Sequence, residues 1–214
     1  MTKVVTVVDY GIGNLYSVAS ALEAIGAAVE ISSNPETISK ADRLLLPGVG
    51  SFAQGMDELK ARGLDDALRE FVASSRPFLG ICLGMQLLFD SSEEFGNHQG
   101  LGFISGKVLA IPREGKEGSV HKIPHIGWAD LTLSVNKRSW AGTILKHTPV
   151  NSSTYFVHSY TAFPEDSNHR LADCDYDGCL IAAAVQSNQI IGCQFHPEKS
   201  GQIGLEILRG FLET

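Results

Sequence analysis

Short apolar runs alternate with amphipathic segments along the first half of the chain. Residues 4–8 and 78–81 are nearly all apolar, which is typical of strands buried on both faces. After the first run, apolar residues recur at helical spacing over residues 15–25, which predicts a helix that ends at Gly26. This alternation predicts a mostly parallel sheet with helices on both faces. The same pattern predicts further strands at 28–31 and 43–46, and further helices at 52–60, 64–74 and 83–90.

The second half of the chain has fewer helical patterns and more short apolar runs. These runs predict an antiparallel extension of the sheet, and a helix over residues 201–212 closes the chain. No linker, repeat or low-complexity tract divides the sequence, so we expect one α/β domain over residues 1–214. The strands predicted in this half are 107–111, 130–135, 154–157, 180–185 and 190–195.

Composition and charge narrow the classes of function. The chain has 214 residues, of which 43% are hydrophobic, and this is enough for a full core. Its formal net charge of −7 argues against a nucleic-acid-binding surface, which needs clustered basic residues. A membrane span needs about 18 consecutive apolar residues, and the sequence has no such run.

The cysteines, the histidines and the N-terminus indicate whether the chain binds a metal and in which cellular compartment it lies. The four cysteines form no C-x-x-C pair, and Pro124 interrupts the spacing between His121 and His125, so we expect no metal site. The first residues enter a strand at once and lack the charged region and cleavage site of a signal peptide. We therefore expect a cytoplasmic protein with reduced thiols.

Cys82 is the central residue of a G-x-C-x-G pattern at residues 80–84, between a predicted strand and a predicted helix. This is the cysteine form of the nucleophile elbow, a sharp turn that makes the nucleophile project above the sheet edge. The sulfur lies at a helix N-terminus, where the dipole favours the thiolate. Cys82 is therefore the candidate nucleophile, and a buried cysteine in a tight turn is the alternative.

A thiol nucleophile needs a base, and His196 directly follows an apolar run at residues 190–195. Strand C-termini meet at one edge of a parallel sheet, so His196 and Cys82 can meet there. Glu198 can accept a hydrogen bond from the other ring nitrogen and fix the tautomer. The sequence thus predicts a triad of Cys82, His196 and Glu198; a surface histidine beside a solvated glutamate is the alternative.

A glycine-containing loop at residues 47–50 follows the third predicted strand. Such a loop allows close backbone approach to a ligand, and its N–H groups can complete an oxyanion hole. Because glycine tolerates unusual backbone angles, the peptide joining Gly48 to Val49 can point its N–H inward or outward.

A second glycine loop follows the first strand and is similar to a dinucleotide-binding loop. It has Gly11 and Gly13, but Tyr16 replaces the third glycine of the G-x-G-x-x-G pattern. We therefore expect neither a dinucleotide nor any other cofactor.

The assembled motifs resemble those of the class I, or triad, glutamine amidotransferases. Two motifs carry this resemblance, G-I-C-L-G-M-Q at residues 80–86 and H-P-E at residues 196–198. Five segments spread over nearly the whole chain are similar to the glutaminase subunits of imidazole glycerol phosphate synthases. They are D-Y-G-I-G-N-L at 9–15, L-P-G-V-G-S-F at 46–52, K-I-P-H-I-G-W at 122–128, Y-F-V-H-S-Y at 155–160 and Q-F-H-P-E-K-S at 194–200.

This resemblance implies the class I glutamine amidotransferase fold and the hydrolysis of glutamine to glutamate and ammonia through a thioester. It also implies a heterodimer in which the ammonia passes to a partner synthase of (β/α)₈ fold. That synthase makes imidazole glycerol phosphate in histidine biosynthesis. Neither a nucleic acid nor a membrane is an expected partner.

Matched residue by residue, the resemblance assigns roles to positions of this sequence. Cys82 is the nucleophile, His196 the acid and base, and Glu198 the residue that orients His196. The N–H groups of Val49 and Leu83 match the oxyanion hole. The positions that match substrate-binding residues are Gly50, Gln86, Glu94, Ser159 and Tyr160, and those that match the partner interface are Asn14, Tyr155 and Lys199.

Three alternatives remain open from the sequence. The family usually has asparagine after Gly-Trp, where this chain has Ala129, and similar paralogues give ammonia to amidotransferases of surface-polysaccharide sugars. A catalytically silent regulatory subunit on the same fold is a second alternative, although the complete triad argues against it. A stand-alone cysteine hydrolase or peptidase is the third, and Gln86 together with the 47–50 loop favours an amino-acid amide as the substrate over a peptide.

Overall fold

The computed structural model describes residues 2–214, so Met1 of the predicted 1–214 domain lies outside the described residues. None of the described helices is long and apolar enough to cross a lipid bilayer. The helices are α1 (Leu15–Ala24), α2 (Pro35–Lys40), α3 (Phe52–Ala61), α4 (Leu64–Ala73), α5 (Leu83–Gln86) and α6 (Gly201–Leu212). The strands are β1 (Val4–Val8), β2 (Ala28–Ser32), β3 (Leu44–Leu46), β4 (Phe78–Ile81), β5 (Phe89–Ser92), β6 (His98–Gln99), β7 (Ile104–Ala110), β8 (His125–Asp130), β9 (Thr132–Leu133), β10 (Ser153–His158), β11 (Tyr160–Pro164), β12 (Arg170–Tyr176), β13 (Cys179–Ser187) and β14 (Ile190–Cys193).

The main sheet has eight strands in the order β2-β1-β3-β4-β14-β13-β12-β9. The pairs from β2 to β14 are parallel, and β13, β12 and β9 then join through antiparallel pairs. The predicted α/β class, with a mostly parallel sheet and an antiparallel extension, is confirmed.

Side chains alternate across the main sheet and divide the core into two layers. Val5 and Val7 of β1 pack on one face with α1 and α6, whereas Val8 packs on the other face with α3 and α4. Successive strand residues point to opposite faces, so a strand covered on both sides must be apolar at nearly every position. This is the physical origin of the apolar runs in the first half of the sequence.

The helix predicted over residues 83–90 is wrong beyond its first turn. α5 ends at Gln86, and the following residues form β5, which belongs to a second sheet of order β11-β7-β5-β6. Phe89 of β5 is fully buried, and the β5 backbone pairs with β6 and β7. Tertiary pairing of the backbone therefore overrides the local helical pattern.

The strand predicted at residues 130–135 is displaced toward the N-terminus. β8 ends at residue 130, where the predicted strand begins, and pairs with β10 in a two-stranded ribbon. Only the two-residue β9 lies within the predicted range. Ile126 and Trp128 of β8 point to solvent while His125 is buried. In β8 the large apolar side chains face solvent and a polar side chain is buried, which is the reverse of a strand that covers a core. A prediction based on apolar positions therefore places this strand at the wrong residues.

Three neighbouring strands, β3, β4 and β14, end at the same edge of the main sheet. Their register aligns Leu46 with Gly80 and Ile81 with Cys193. The residues that follow these strand ends are the glycine loop at 47–50, Cys82 and the segment that contains His196. The parallel register thus brings the three predicted parts of the site together.

Close packing at this edge makes Gly84 sensitive to any added atom. A Cβ on Gly84 would lie 1.9 Å from the carbonyl oxygen of Leu46. We expect Gly84→Ala to lower the free energy of unfolding by about 2–4 kcal/mol, because the backbone of α5 or β3 must move. Denaturant-induced unfolding of the purified chain measures this change.

Gly26→Ala is the matched control for this substitution. Gly26 has a φ of +86°, but a Cβ there meets nothing within 4 Å. Its cost is therefore limited to the left-handed backbone, about 1–2 kcal/mol. An equal loss of stability in the two variants would contradict the packing argument.

Candidate active site

A cavity of about 250 Å³ opens where β3, β4 and β14 end. It contains the predicted nucleophile, both predicted oxyanion residues and every predicted substrate-binding residue. Pro124, Val157 and His158 also line it, and the sequence did not predict these three as site residues. The predicted residues on its wall are Val49, Gly50, Cys82, Leu83, Gln86, Glu94, Ser159 and Tyr160.

Cys82 has the strained backbone of a nucleophile elbow. Its φ is +53° and its ψ is −109°, a region that non-glycine residues rarely adopt. The Cys82 N–H donates to the carbonyl of Cys193 at 2.7 Å, and this bond between adjacent parallel strands holds the turn. The side chain is 7% exposed and reaches the cavity wall. The side chain of Cys82 can therefore contact a ligand that occupies the cavity.

His196 and Glu198 form a buried pair beside this cysteine. His196 Nδ1 lies 2.7 Å from Glu198 Oε1, and both side chains are at most 2% exposed. The His196 backbone is fixed as well, because its N–H donates to the Tyr155 carbonyl at 2.9 Å and its carbonyl accepts from Ser200 Oγ at 2.7 Å. These bonds hold the imidazole in one orientation.

The charge of His196 depends on its two acidic neighbours. Burial lowers the pKa of His196, but the Cys82 sulfur and the Glu198 carboxylate outweigh burial and raise that pKa to about 9. His196 Nε2 is buried and makes no hydrogen bond of normal geometry with the described residues. This nitrogen is therefore free to exchange a proton with the sulfur or a ligand.

The predicted oxyanion donors do not face the cavity together in this conformation. The Leu83 N–H donates to the carbonyl oxygen of Gly48 at 3.3 Å. In a trans peptide the N–H points opposite to the C=O, so the Val49 N–H is directed away from Leu83. The structure therefore has the outward orientation of the Gly48–Val49 peptide, and the oxyanion role of these two residues stays a prediction for the other orientation.

Gly48 lies in a space that no side chain could share. A Cβ there would be 2.5 Å from the hydroxyl of Tyr10 and 2.9 Å from Leu83 Cβ. The Tyr10 hydroxyl is buried and has no hydrogen-bond partner among the described residues. The sequence did not predict Tyr10 as a site residue, because only the packing of β1 against β3 places it under this loop.

Glu94 brings a carboxylate to the opposite side of the cavity. One of its oxygens accepts from the Phe52 N–H at 2.5 Å, at the N-terminus of α3. This contact fixes the carboxylate beside the loop that contains Gly50. A fixed negative charge in a small cavity suits the ammonium group of an amino acid.

Two buried histidines form a pair at the cavity, and one of them, His158, lines its wall. His158 Nδ1 donates to the Tyr160 carbonyl at 2.8 Å, and its Nε2 lies 3.0 Å from His125 Nδ1. Burial lowers the pKa of His158 to about 3 and that of His125 to about 4. Both rings are therefore neutral, and the pair acts as a fixed relay of hydrogen bonds.

The three predicted interface residues lie on elements that contact one another. Asn14 precedes α1, Lys199 is exposed in the turn after His196, and Tyr155 is half-buried on β10. Tyr155 packs edge-on against Trp128 with ring centroids 5.8 Å apart. Trp128 and Ile126 are each 59% exposed, so this ribbon presents an apolar surface.

Comparisons with known proteins cover nearly the whole chain. A sequence model of the family described as glutamine amidotransferase class-I matches residues 6–214. The chain is 50% identical over 209 residues to imidazole glycerol phosphate synthase subunit HisH 1 of Legionella pneumophila strain Lens, with 98% of each chain covered. It is 44% identical over 205 residues to the subunit HisH of Bacillus subtilis strain 168, with 96% of this chain and 93% of the relative covered.

Solved structures show the same fold at low sequence identity. A structure described as a glutamine amidotransferase has a TM-score of 0.72 and 18% identity, with 97% of each chain covered. The structure of PurLQS from Thermotoga maritima has a TM-score of 0.71 and 18% identity, with 100% of this chain and 99% of that chain covered. At this identity the match supports the architecture alone.

Glu198→Gln tests the electrostatics of the buried pair. Removing the carboxylate charge while burial remains should lower the pKa of His196 from about 9 toward or below the ordinary value of about 6.5. Ring-nitrogen chemical shifts followed against pH measure this value. Lys199→Gln changes an exposed neighbouring charge and should leave the pKa of His196 nearly unchanged.

The raised pKa of His196 also makes the stability of the fold depend on pH. The pKa of His196 is higher in the folded than in the unfolded chain, so protonation stabilises the fold. This contribution is complete below a pH of about 6.5 and is lost as the pH rises through about 9. A pKa of His196 that is unchanged in Glu198→Gln would contradict the role given to Glu198. A free energy of unfolding, measured by denaturant titration, that does not fall as the pH rises from about 6.5 to about 9 would contradict the stability statement.

Proposed function

Because the chain belongs to the class I glutamine amidotransferases, and within them to the imidazole glycerol phosphate synthase subunits HisH, we propose that Cys82, His196 and Glu198 carry out its glutamine hydrolysis. The products are glutamate and ammonia. The observation that carries this proposal is the buried His196–Glu198 pair beside a strained, cavity-lining cysteine.

Acyl transfer can proceed on these groups in two stages. His196, whose pKa is raised to about 9, holds the proton on Nε2, and the deprotonated Cys82 sulfur attacks the side-chain amide carbon of glutamine. His196 then protonates the leaving nitrogen, which departs as ammonia and leaves a thioester on Cys82. Water attacks this thioester with His196 as base and releases glutamate. Glu198 holds the imidazole in one tautomer throughout and stabilises its charged form.

The cavity offers groups for the rest of the glutamine molecule. Glu94 is placed to bind the α-ammonium group, while Gly50, Ser159 and Tyr160 surround the remaining space. The Gln86 amide lies between the cavity and the Tyr160 carbonyl, to which it donates at 3.1 Å. These substrate contacts follow from the positions of the residues around the cavity and from the family resemblance.

The Gly48–Val49 peptide provides a means of control. In the outward orientation Leu83 is bonded to Gly48, so a developing oxyanion finds neither predicted donor. One missing donor typically costs about 10²- to 10³-fold in rate. We propose that a partner favours the inward orientation, which would couple glutamine hydrolysis to demand for ammonia.

The exposed ribbon suits a partner subunit. We propose that residues 1–214 act as one glutamine amidotransferase domain and form a heterodimer with a (β/α)₈ cyclase in the cytoplasm. The apolar Ile126 and Trp128, with Asn14, Tyr155 and Lys199 nearby, form the surface for this contact. All four cysteines are free, which is consistent with a reducing compartment.

Cys82→Ala tests the proposed function in the complex with the cyclase. Glutamine-dependent synthesis should fall by about 10⁴-fold or more, because the nucleophile is lost. Synthesis from added ammonia should persist, because the cyclase itself is unchanged. Steady-state assays with glutamine and with an ammonium salt measure both activities.

Cys179→Ala is the control, since this half-buried thiol lies on β13 outside the cavity. It should retain both activities. Glutaminase turnover that survives in a folded Cys82→Ala variant would refute the proposed function.

A further inference from the structure

The sulfur of Cys82 has two polar neighbours besides the triad histidine. It lies 3.7 Å from the Val157 carbonyl oxygen and 3.8 Å from the side-chain nitrogen of Gln194. Gln194 is fully buried. A buried amide at van der Waals distance from a nucleophile is an unusual choice, because an apolar side chain would fill the same space without needing hydrogen bonds.

The strand register places Gln194 at this position. Ile81 of β4 aligns with Cys193 of β14, so the next residues, Cys82 and Gln194, leave the two strands side by side. The Gln194 N–H donates to the Ala183 carbonyl at 2.9 Å, which fixes its backbone. The backbone of Gln194 therefore stays beside Cys82 as long as the sheet is intact.

A chain of hydrogen bonds fixes which end of the amide faces the sulfur. The Tyr160 carbonyl can only accept, so the Gln86 nitrogen at 3.1 Å must donate to it. The same nitrogen lies 3.0 Å from Gln194 Oε1, and this oxygen accepts its second hydrogen. The Gln194 nitrogen is thus left to face Cys82. His158 donates to the same Tyr160 carbonyl and completes its bonding.

We propose that the Gln194 side-chain amide stabilises the Cys82 thiolate by an N–H···S hydrogen bond, a catalytic role that rests on the proposed function. In the thiol state the S–H can donate to the Val157 carbonyl. Once the proton moves to His196 Nε2, the sulfur can only accept, and the Gln194 N–H is a donor already in place. The amide is neutral and does not have to gain or lose a proton to act as this donor.

The gain in thiolate outweighs the loss in nucleophilicity. Lowering a thiol pKa by one unit raises the thiolate fraction about tenfold at a pH well below the pKa, while the intrinsic reactivity falls only about threefold. The net effect is an acceleration of roughly threefold for each unit. A neutral donor therefore increases the rate at which this sulfur attacks a substrate.

Alkylation of Cys82 by iodoacetamide tests the proposal on the full chain without glutamine. The thiolate displaces iodide as a carbon–sulfur bond forms, so the rate against pH reports the thiolate fraction. Gln194→Met keeps the shape and removes the N–H; Gln194→Glu keeps an acceptor for Gln86 and places an oxygen against the sulfur. The neighbouring titratable groups, His196 and Tyr10, are unchanged in Gln194→Met, whereas Gln194→Glu adds a carboxyl group whose negative charge opposes the thiolate.

In Gln194→Met we expect the midpoint of the alkylation profile to move up by about one pH unit and the rate near neutral pH to fall roughly threefold. Gln194→Glu should move the midpoint further. Gln186→Met makes the same change on the neighbouring strand β13, away from the cavity, and should react as the wild type does. Mass spectrometry of the Cys82 peptide gives the rates.

A wild-type profile in both folded Gln194 variants would overturn the inference. Glutaminase turnover that survives in Cys82→Ala, with the alkylation profiles as expected, would instead count against the proposed function. If neither variant folds, the side-chain amide resonances of Gln194 in the wild type decide. They should shift as Cys82 titrates or is alkylated, and resonances that do not move would overturn the inference.

Discussion

The hydrogen bond from the Leu83 N–H to the Gly48 carbonyl joins the two parts of the site that must cooperate. Leu83 begins the helix after Cys82, the proposed nucleophile, and Gly48 belongs to the loop after β3. The two are adjacent because β3 and β4 are parallel neighbours and because Gly84 lets α5 contact the end of β3. The same close packing leaves room only for glycine at position 48. Glycine also lets the peptide change its orientation, whereas any larger residue would clash with Tyr10 and Leu83.

Several features of the site near this bond are energetically unfavourable and persist only because the rest of the fold is stable. Cys82 has a strained backbone, and the buried His196–Glu198 pair has been removed from water. Two extensive hydrophobic layers, one on each face of the main sheet, supply the stability that offsets these costs. The arrangement is typical of enzymes, in which the reactive groups are the least relaxed part of a well-packed structure.

The positions of the candidate site residues could be predicted from the sequence better than the local geometry around them. Cys82, His196 and Glu198 each follow a recognisable strand signal, and parallel strands bring such ends together. α2 went unpredicted although Asn34 caps it and Pro35 begins it, because its apolar face is short. Gln194 and Tyr10 were missed for another reason. Their roles depend on which strands are neighbours and on burial, and neither leaves a pattern along the chain.

In our proposal, the outward Gly48–Val49 peptide limits turnover until a partner changes its orientation. The most direct measurement is the rate of glutamate release at saturating glutamine by the isolated chain, by its complex with the cyclase, and by that complex with the cyclase ligand bound. We expect an increase of at least about 10²- to 10³-fold from the isolated chain to the liganded complex, because that is the typical cost of a single missing oxyanion donor and the outward peptide removes both. An isolated chain that already matches the liganded complex would contradict it.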